Sequence, residues 1–180
     1  ECIRLAQRVV DLADGDPVRG NLMGASPLAW ALAVRGVCKL CLGDGGWNDD
    51  IEQGMALARP FDATARMVPA LYRYAIAISN GVLLPDAAAE VHSAGLLKVA
   101  EQSGDDTAVA LGQLNRAVGL LHQDGSEDRA ARDLIGRARD ALAQQRISGG
   151  LRRIADLEMA RLKARSGDTE GAMGIAKTVF

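Results

Sequence analysis

A two-residue turn recurs along this chain. Gly43-Asp44, Gly104-Asp105, Asp124-Gly125 and Gly167-Asp168 each follow an apolar stretch with helical spacing, and each leads into another. With Asp14-Gly15-Asp16 they cut the sequence into amphipathic helices of similar length and leave no room for strands. A single helix of this kind cannot bury its apolar stripe alone, so consecutive helices must pack as hairpins against their neighbours. The expected fold is all-α, a right-handed αα-hairpin solenoid of about nine helices forming one domain over residues 1–180.

The helices can be placed from their stripes and caps. Cys2, Leu5, Ala6, Val9, Val10 and Ala13 predict a helix over 1–13 with one apolar face. Ser26-Pro27, an N-cap followed by proline at the first helical position, opens a helix over 27–42 with a wide apolar arc from Leu28 to Leu40. A helix over 49–59 (Ile51, Gly54, Met55, Ala58) ends at Pro60. The next, over 63–79, is capped by Asp62 and has Pro69 in its first turns or at a kink. Further helices run from Pro85-Asp86 to 102, over 106–122, 127–145 and 150–166, and from Thr169 onward. The even-numbered helices of this series have broad apolar arcs and the odd ones narrow arcs. That alternation, with a unit of roughly 40 residues, is what stacked αα-hairpins require.

Aromatics make up only 3% of the residues, so Ala, Leu and Val must do the packing and the helices must approach closely. A net charge of −2 argues against a nucleic-acid footprint, which is normally basic. No stretch approaches the roughly 18 apolar residues of a membrane span, and the charged, helix-like start predicts no signal peptide. Three cysteines without a disulfide rhythm predict a reducing compartment, the cytoplasm. The sequence opens without Met and closes at Val179-Phe180, at both ends in mid-pattern, which predicts a fragment of a longer chain.

The run Met159-Ala160-Arg161-Leu162-Lys163-Ala164-Arg165-Ser166-Gly167-Asp168-Thr169-Glu170-Gly171-Ala172 resembles the inter-helix turn of tetratricopeptide repeats. In that family a Gly-Asp pair joins helix A to helix B, and small residues let the two helices touch. Ala160 and Ala172 fall at such positions, as does Gly36 relative to Gly43-Asp44. The family's aromatic pattern is missing and the period exceeds the usual 34, so these are degenerate, lengthened repeats. In that register the even helices are A helices, and the chain begins on a B helix.

A second resemblance covers nearly the whole chain. Ile3-Arg4-Leu5-Ala6-Gln7-Arg8-Val9-Val10-Asp11-Leu12-Ala13-Asp14-Gly15-Asp16-Pro17 looks like the repeat region of large actinobacterial (mycobacterial-type) signalling proteins. Gly24-Ala25-Ser26-Pro27-Leu28-Ala29 and Val99-Ala100-Glu101-Gln102-Ser103-Gly104-Asp105-Asp106-Thr107-Ala108 fit the same region. In those proteins a class III adenylate or guanylate cyclase domain and an AAA-type ATPase module precede a long tetratricopeptide-like region. The resemblance implies a parent that makes cyclic nucleotide from ATP or GTP with a divalent metal, at residues upstream of this segment.

Candidate chemistry within the segment is sparse. Cys38-x-x-Cys41 lies late in a helix, whereas a redox pair wants its first Cys at a helix start. A zinc site needs four ligands, and only Cys2, His92 and His122 stand by at scattered positions, so both cysteines are assigned to core packing. His122, near a helix C-terminus, is assigned a capping or solvated role, as is His92. Gly43-Asp44-Gly45-Gly46 lacks the Gly-Lys-Ser/Thr of a phosphate loop and reads as a turn. Asp49-Asp50 and Asp105-Asp106 sit at helix N-termini, where acids satisfy free amides and the dipole. No catalytic, cofactor or metal residue is assigned.

The candidate binding residues are Arg35, Arg73, Arg116 and Arg161, all on even helices. In tetratricopeptide arrays those helices line the concave surface, so the four could face an acidic partner. The competing assignment pairs them with nearby acids such as Asp156 or Glu158. Trp30, Tyr72 and Tyr74 lie on the same helices, with core packing expected for Trp30 and Tyr72. The expected function is a non-catalytic protein-interaction or regulatory region of such a cyclase, binding a protein partner or its own upstream domains, with neither nucleic acid nor membrane. One alternative is the ligand-sensing repeat domain of a large ATP-dependent transcription activator, which takes a small inducer. Another is a freestanding adaptor.

Overall fold

The computed structural model describes residues 1–21, 26–58, 63–123, 128–144 and 149–179. Among them every regular element is helical. They are α1 (Cys2–Ala13), α2 (Pro27–Leu42), α3 (Trp47–Ala58), α4 (Ala63–Ala70), a π-helical turn (Leu71–Ile76) and α5 (Ala77–Ser79). After these come α6 (Ala87–Ser103), α7 (Asp106–Leu121), α8 (Asp128–Gln144), α9 (Gly149–Arg165) and α10 (Thr169–Val179). The Asp124-Gly125 turn, Gly24-Ala25, Pro60 and Asp62 lie outside the described residues.

The Gly-Asp turns work by a division of labour. Gly43 and Gly167 adopt left-handed φ of 74° and 85°, which a Cβ would strain. Their N–H groups bond Leu40 O and Ala164 O, while the following Asp44 and Asp168 N–H groups reach back to Lys39 O and Lys163 O. This satisfies the last carbonyls of the outgoing helix. The Asp side chain then serves the incoming one: Asp168 Oδ1 accepts from Gly171 N at 2.9 Å, and Asp105 Oδ1 accepts from Thr107 N and Ala108 N at 2.8 and 3.1 Å. Lys163 together with that Gly171 amide holds the Asp168 carboxyl below the usual carboxylate range. Replacing Asp105 by alanine orphans two amides of α7 and is expected to cost about 1 kcal/mol. A thermal melt checks this, and an unchanged midpoint contradicts the capping role.

The chain divides into two compact units, Glu1–Leu83 and Leu84–Phe180. In the first, α1 and α2 run antiparallel, with Gln7 opposite Arg35 and Ala13 packed with Leu28 and Leu32. α3 returns against α2 at a crossing made close by two glycines. A Cβ on Gly36 would lie 2.6 Å from Ile51 Cγ1 and 2.7 Å from Trp47 O, and one on Gly54 would lie 2.8 Å from Ala29 O. Gly36 is thus a small residue that lets α2 and α3 touch. The run 63–79 is continuous but irregular: Pro69 lies inside α4, and the π-helical turn begins two residues later. Proline removes an N–H from the ladder and crowds the carbonyl four residues back, which makes a wider turn there the cheaper arrangement.

Three expectations are corrected in this unit. The apolar face of α1 is split, with Ala6 and Ala13 buried and Val10 packed beside them, while Leu5 and Val9 are exposed. Trp30 is 48% exposed and donates its Nε1–H to Tyr72 Oη at 3.0 Å, whereas Tyr74 is the aromatic in the core. Cys38 is half-buried and Cys41 exposed, so neither is a core residue. The stripe of α2 turns toward α3 and leaves residues 30 and 41 on its outer side.

In the second unit α6 and α7 are antiparallel, with Gly112 against Leu97 and Ala100 and Gly119 beside Ser93. α7 is buried on nearly every side, including all of Ala110, Leu111, Leu114, Ala117, Val118 and Leu121. α8 contributes Ala131, Ile135, Ala138 and Leu142, and α9 contributes Ala155, Ala160 and Leu162. Ala172 of α10 is buried beyond the Gly167-Asp168 turn. Burial is broad on α2 and α7 and narrow on α1, α3, α6 and α10. Within each unit, helices pack on their sequence neighbours, with next-but-one contacts of α2 to α4 and of α7 to α9. That packing is compatible with a solenoid.

Candidate interaction surface

Each of the four candidate arginines is held by an acid. Arg35 of α2 grips Asp50 of α3 through Nε (2.8 Å) and Nη2 (2.5 Å), and its Nη1 donates to Gln7 Oε1 of α1 at 2.6 Å. One guanidinium therefore ties three helices, using the planar fork that lysine lacks. Arg73 pairs with Glu52 of α3 and lies over the Tyr74 ring, 5.6 Å from its centroid. Arg116 of α7 donates to Glu90 O and Oε1 of α6 at 3.0 and 2.9 Å. Arg161 pairs with Glu158 one turn earlier on α9. Asp50 and Glu52 are two residues apart on α3 and do not share a face, so Arg35 and Arg73 engage opposite sides of that helix. Arg161, its side chain 46% exposed, is the most open of the four.

The strongest electrostatic node was visible in the sequence only as a helix-terminal acid. Asp50 is 6% exposed and receives Lys39 Nζ at 2.8 Å as well as Arg35. Burial pushes its carboxyl up, but the hydrogen bonds and charges of Arg35 and Lys39 outweigh that and hold it below the usual carboxylate range. The hydrogen bond to Asp50 in turn raises the Arg35 guanidinium above its ordinary value.

A second node lies in the other unit. Glu158 is fully buried, with Oε2 3.0 Å from His122 Nε2 and Oε1 on Arg161. His122 is the C-cap residue of α7, and Arg165 Nη1 donates to the neighbouring Leu121 carbonyl at 2.7 Å. Asp156, two residues before Glu158 in sequence, takes Arg139 of α8 and Arg152 of α9. At the end of α7 only the His122 backbone N–H caps, while its imidazole bonds Glu158, and His92 lies on the exposed side of α6. Among the described residues no group of three or more His, Cys, Asp or Glu is placed to hold a metal ion.

Among the described residues, two of the open surfaces suit a partner. On α1, Leu5, Val9 and Leu12 are exposed at helical spacing, Leu12 by 65%. Between α7 and α8 a shallow groove of about 410 Å³ is lined by Asp106, Val109, Gln113, Arg137, Ala141 and Gln144. Both charge signs and two amides line it, a composition suited to a polypeptide backbone and its side chains.

No family model, curated protein or solved structure matches the chain. The functional reading therefore rests on the residues themselves. Among the described helices none is long and apolar enough to cross a membrane. What the arrangement can do chemically is present rigid, locally neutralised helix faces: every candidate arginine already has a carboxylate, so an acidic partner would have to compete for it.

Proposed function

We propose that this chain is a non-catalytic protein-interaction and regulatory helical-repeat region of a cytoplasmic, multidomain class III adenylate/guanylate cyclase. Its upstream domains would make cyclic nucleotide and pyrophosphate from ATP or GTP with a divalent metal. The resemblance of residues 3–17, 24–29 and 99–108 to that repeat region supports the parent. The observation that carries the interaction role is the open α7–α8 groove with its mixed polar lining, which suits a polypeptide better than an enclosed small inducer. Arg161 is the arginine best placed to exchange its intramolecular acid for a partner's.

Deleting residues 1–180 from the native product tests this reading. Metal-dependent turnover by the remaining domains is expected to persist, while its response to protein partners or to the ATPase module changes. Loss of all turnover from a remainder that still folds and binds nucleotide would contradict a non-catalytic role.

A further inference from the structure

The antiparallel register of α1 and α2 brings Cys2, at the start of one helix, to the Cys38–Cys41 end of the next. Gln7 sits opposite Arg35. Five residues toward the start of α1, about 7.5 Å along its axis, is Cys2. The same step toward the end of α2 reaches Lys39–Leu40, flanked on one face by Cys38 and Cys41. Cys2 and Cys38 therefore share this open end of the hairpin, opposite the loop that joins the two helices. Cys2 is exposed and Cys38 half-buried behind it.

We propose that Cys2 and Cys38 are a redox modification site that hydroperoxide converts to a disulfide, closing the open end of the α1–α2 hairpin. Cys2 is the thiol that solvent reaches. Its thiolate attacks one peroxide oxygen; an S–O bond forms, the O–O bond breaks, and the departing oxygen takes a proton to leave as water or an alcohol. Cys38 then loses its proton and attacks the Cys2 sulfenic sulfur. An S–S bond forms, the S–O bond breaks and the hydroxyl leaves as water. Two electrons pass from the two sulfurs to the peroxide, and a small-molecule thiol returns them by exchange.

The division of roles follows from the surroundings. Burial first, then the neighbouring Cys2 thiol, pushes the Cys38 thiol up to about 11. At neutral pH Cys38 is therefore protected from direct oxidation and enters only once Cys2 has been oxidised. Cys41, one turn further along α2, is exposed. The bond would hold α1, with its exposed Leu5, Val9 and Leu12, on α2. It does not depend on the parent enzyme proposed above.

The test is titration of the full chain with hydrogen peroxide, followed by digestion without reductant and mass spectrometry. The expected result is that two of the three thiols disappear and that the peptides bearing Cys2 and Cys38 become linked within one chain. Reductant restores both. The bond is expected to survive Cys41→Ser and to be lost in Cys2→Ser and in Cys38→Ser. Linkage of Cys2 to Cys41, a link only between chains, or over-oxidised Cys2 with Cys38 still free would each overturn the proposal.

Discussion

Replacing Gly36 by leucine is expected to give the largest loss of stability of any single change in the first unit. The crossing of α2 and α3 leaves no room for even a first carbon, since a Cβ would stand 2.6 Å from Ile51 Cγ1 and 2.7 Å from the Trp47 carbonyl oxygen. The Ile51 side chain can turn aside, but the Trp47 oxygen belongs to a helix backbone and can move only with α3. Alanine already forces that shift, at about 1–3 kcal/mol of overpacking, and this outweighs the roughly 1 kcal/mol that alanine gains over glycine in helix propensity. Leucine must separate the helices and so uncover the face that buries Leu32 and Ile51. A loss of at least about 3 kcal/mol is expected, lowering the melting midpoint by roughly 6–12 °C.

Both tryptophans, Trp30 and Trp47, lie in this unit, so their fluorescence reports its unfolding. Gly136 of α8 provides the control. A Cβ there meets nothing within 4 Å, and Gly136→Ala is expected to stabilise by up to about 1 kcal/mol. If Gly36→Leu melts like the unsubstituted protein, the close crossing is wrong.

The second large effect is at Asp50. Substitution by alanine leaves Arg35, its side chain only 13% exposed, and Lys39 facing each other without the carboxylate that joins them. Breaking a buried pair from one side costs about 3–5 kcal/mol, and the lower end applies here because Lys39 retains access to water. Asp50→Asn is milder, since the amide still accepts a bond from one partner. It also isolates the charge. Because the folded carboxyl is held below its usual 3.8, Asp50 contributes stability that is fully present above about pH 4. That contribution is lost as pH falls through the depressed folded value. The stability gap between the unsubstituted protein and Asp50→Asn is therefore expected to be constant at neutral pH and to close below about pH 4. A gap that stays open in acid would mean that Asp50 acts by shape and not by charge.

Helix limits were legible where two independent signals coincide, as at Gly104-Asp105 and Gly167-Asp168, a glycine that accepts left-handed φ and an acid that caps the next helix. Ser26-Pro27 and Gly36 were legible for similar reasons, one by cap chemistry and the other by its place relative to Gly43-Asp44. The rotation of each helix about its own axis could not be read. The stripe on α1 is wide enough to cover two faces, and only docking on α2 decides that Ala6 and Ala13 go in while Leu5 goes out. Trp30 follows the same rule. It adjoins Ala29 in sequence but sits about 100° around the helix from it, away from α3.

The charge nodes escaped for a different reason. Asp50 needs nothing beyond the helix dipole to explain it in sequence, while its partner Arg35 lies fifteen residues away and meets it only because the helices cross closely. Glu158 and His122 are thirty-six residues apart. The thiol cluster did carry a signal. Cys2 at the far end of one helix and Cys38 at the far end of the next come to the same end of the pair if it is antiparallel.

The central functional claim is best tested on the native gene product, captured with an antibody to this chain and assayed for metal-dependent conversion of ATP or GTP to cyclic nucleotide. The expected result is a product much larger than 18.9 kDa that makes cyclic nucleotide. A large product without that activity would contradict the cyclase parent and point to an inducer-sensing transcription activator, and a product of about this chain's own size would leave only a freestanding adaptor.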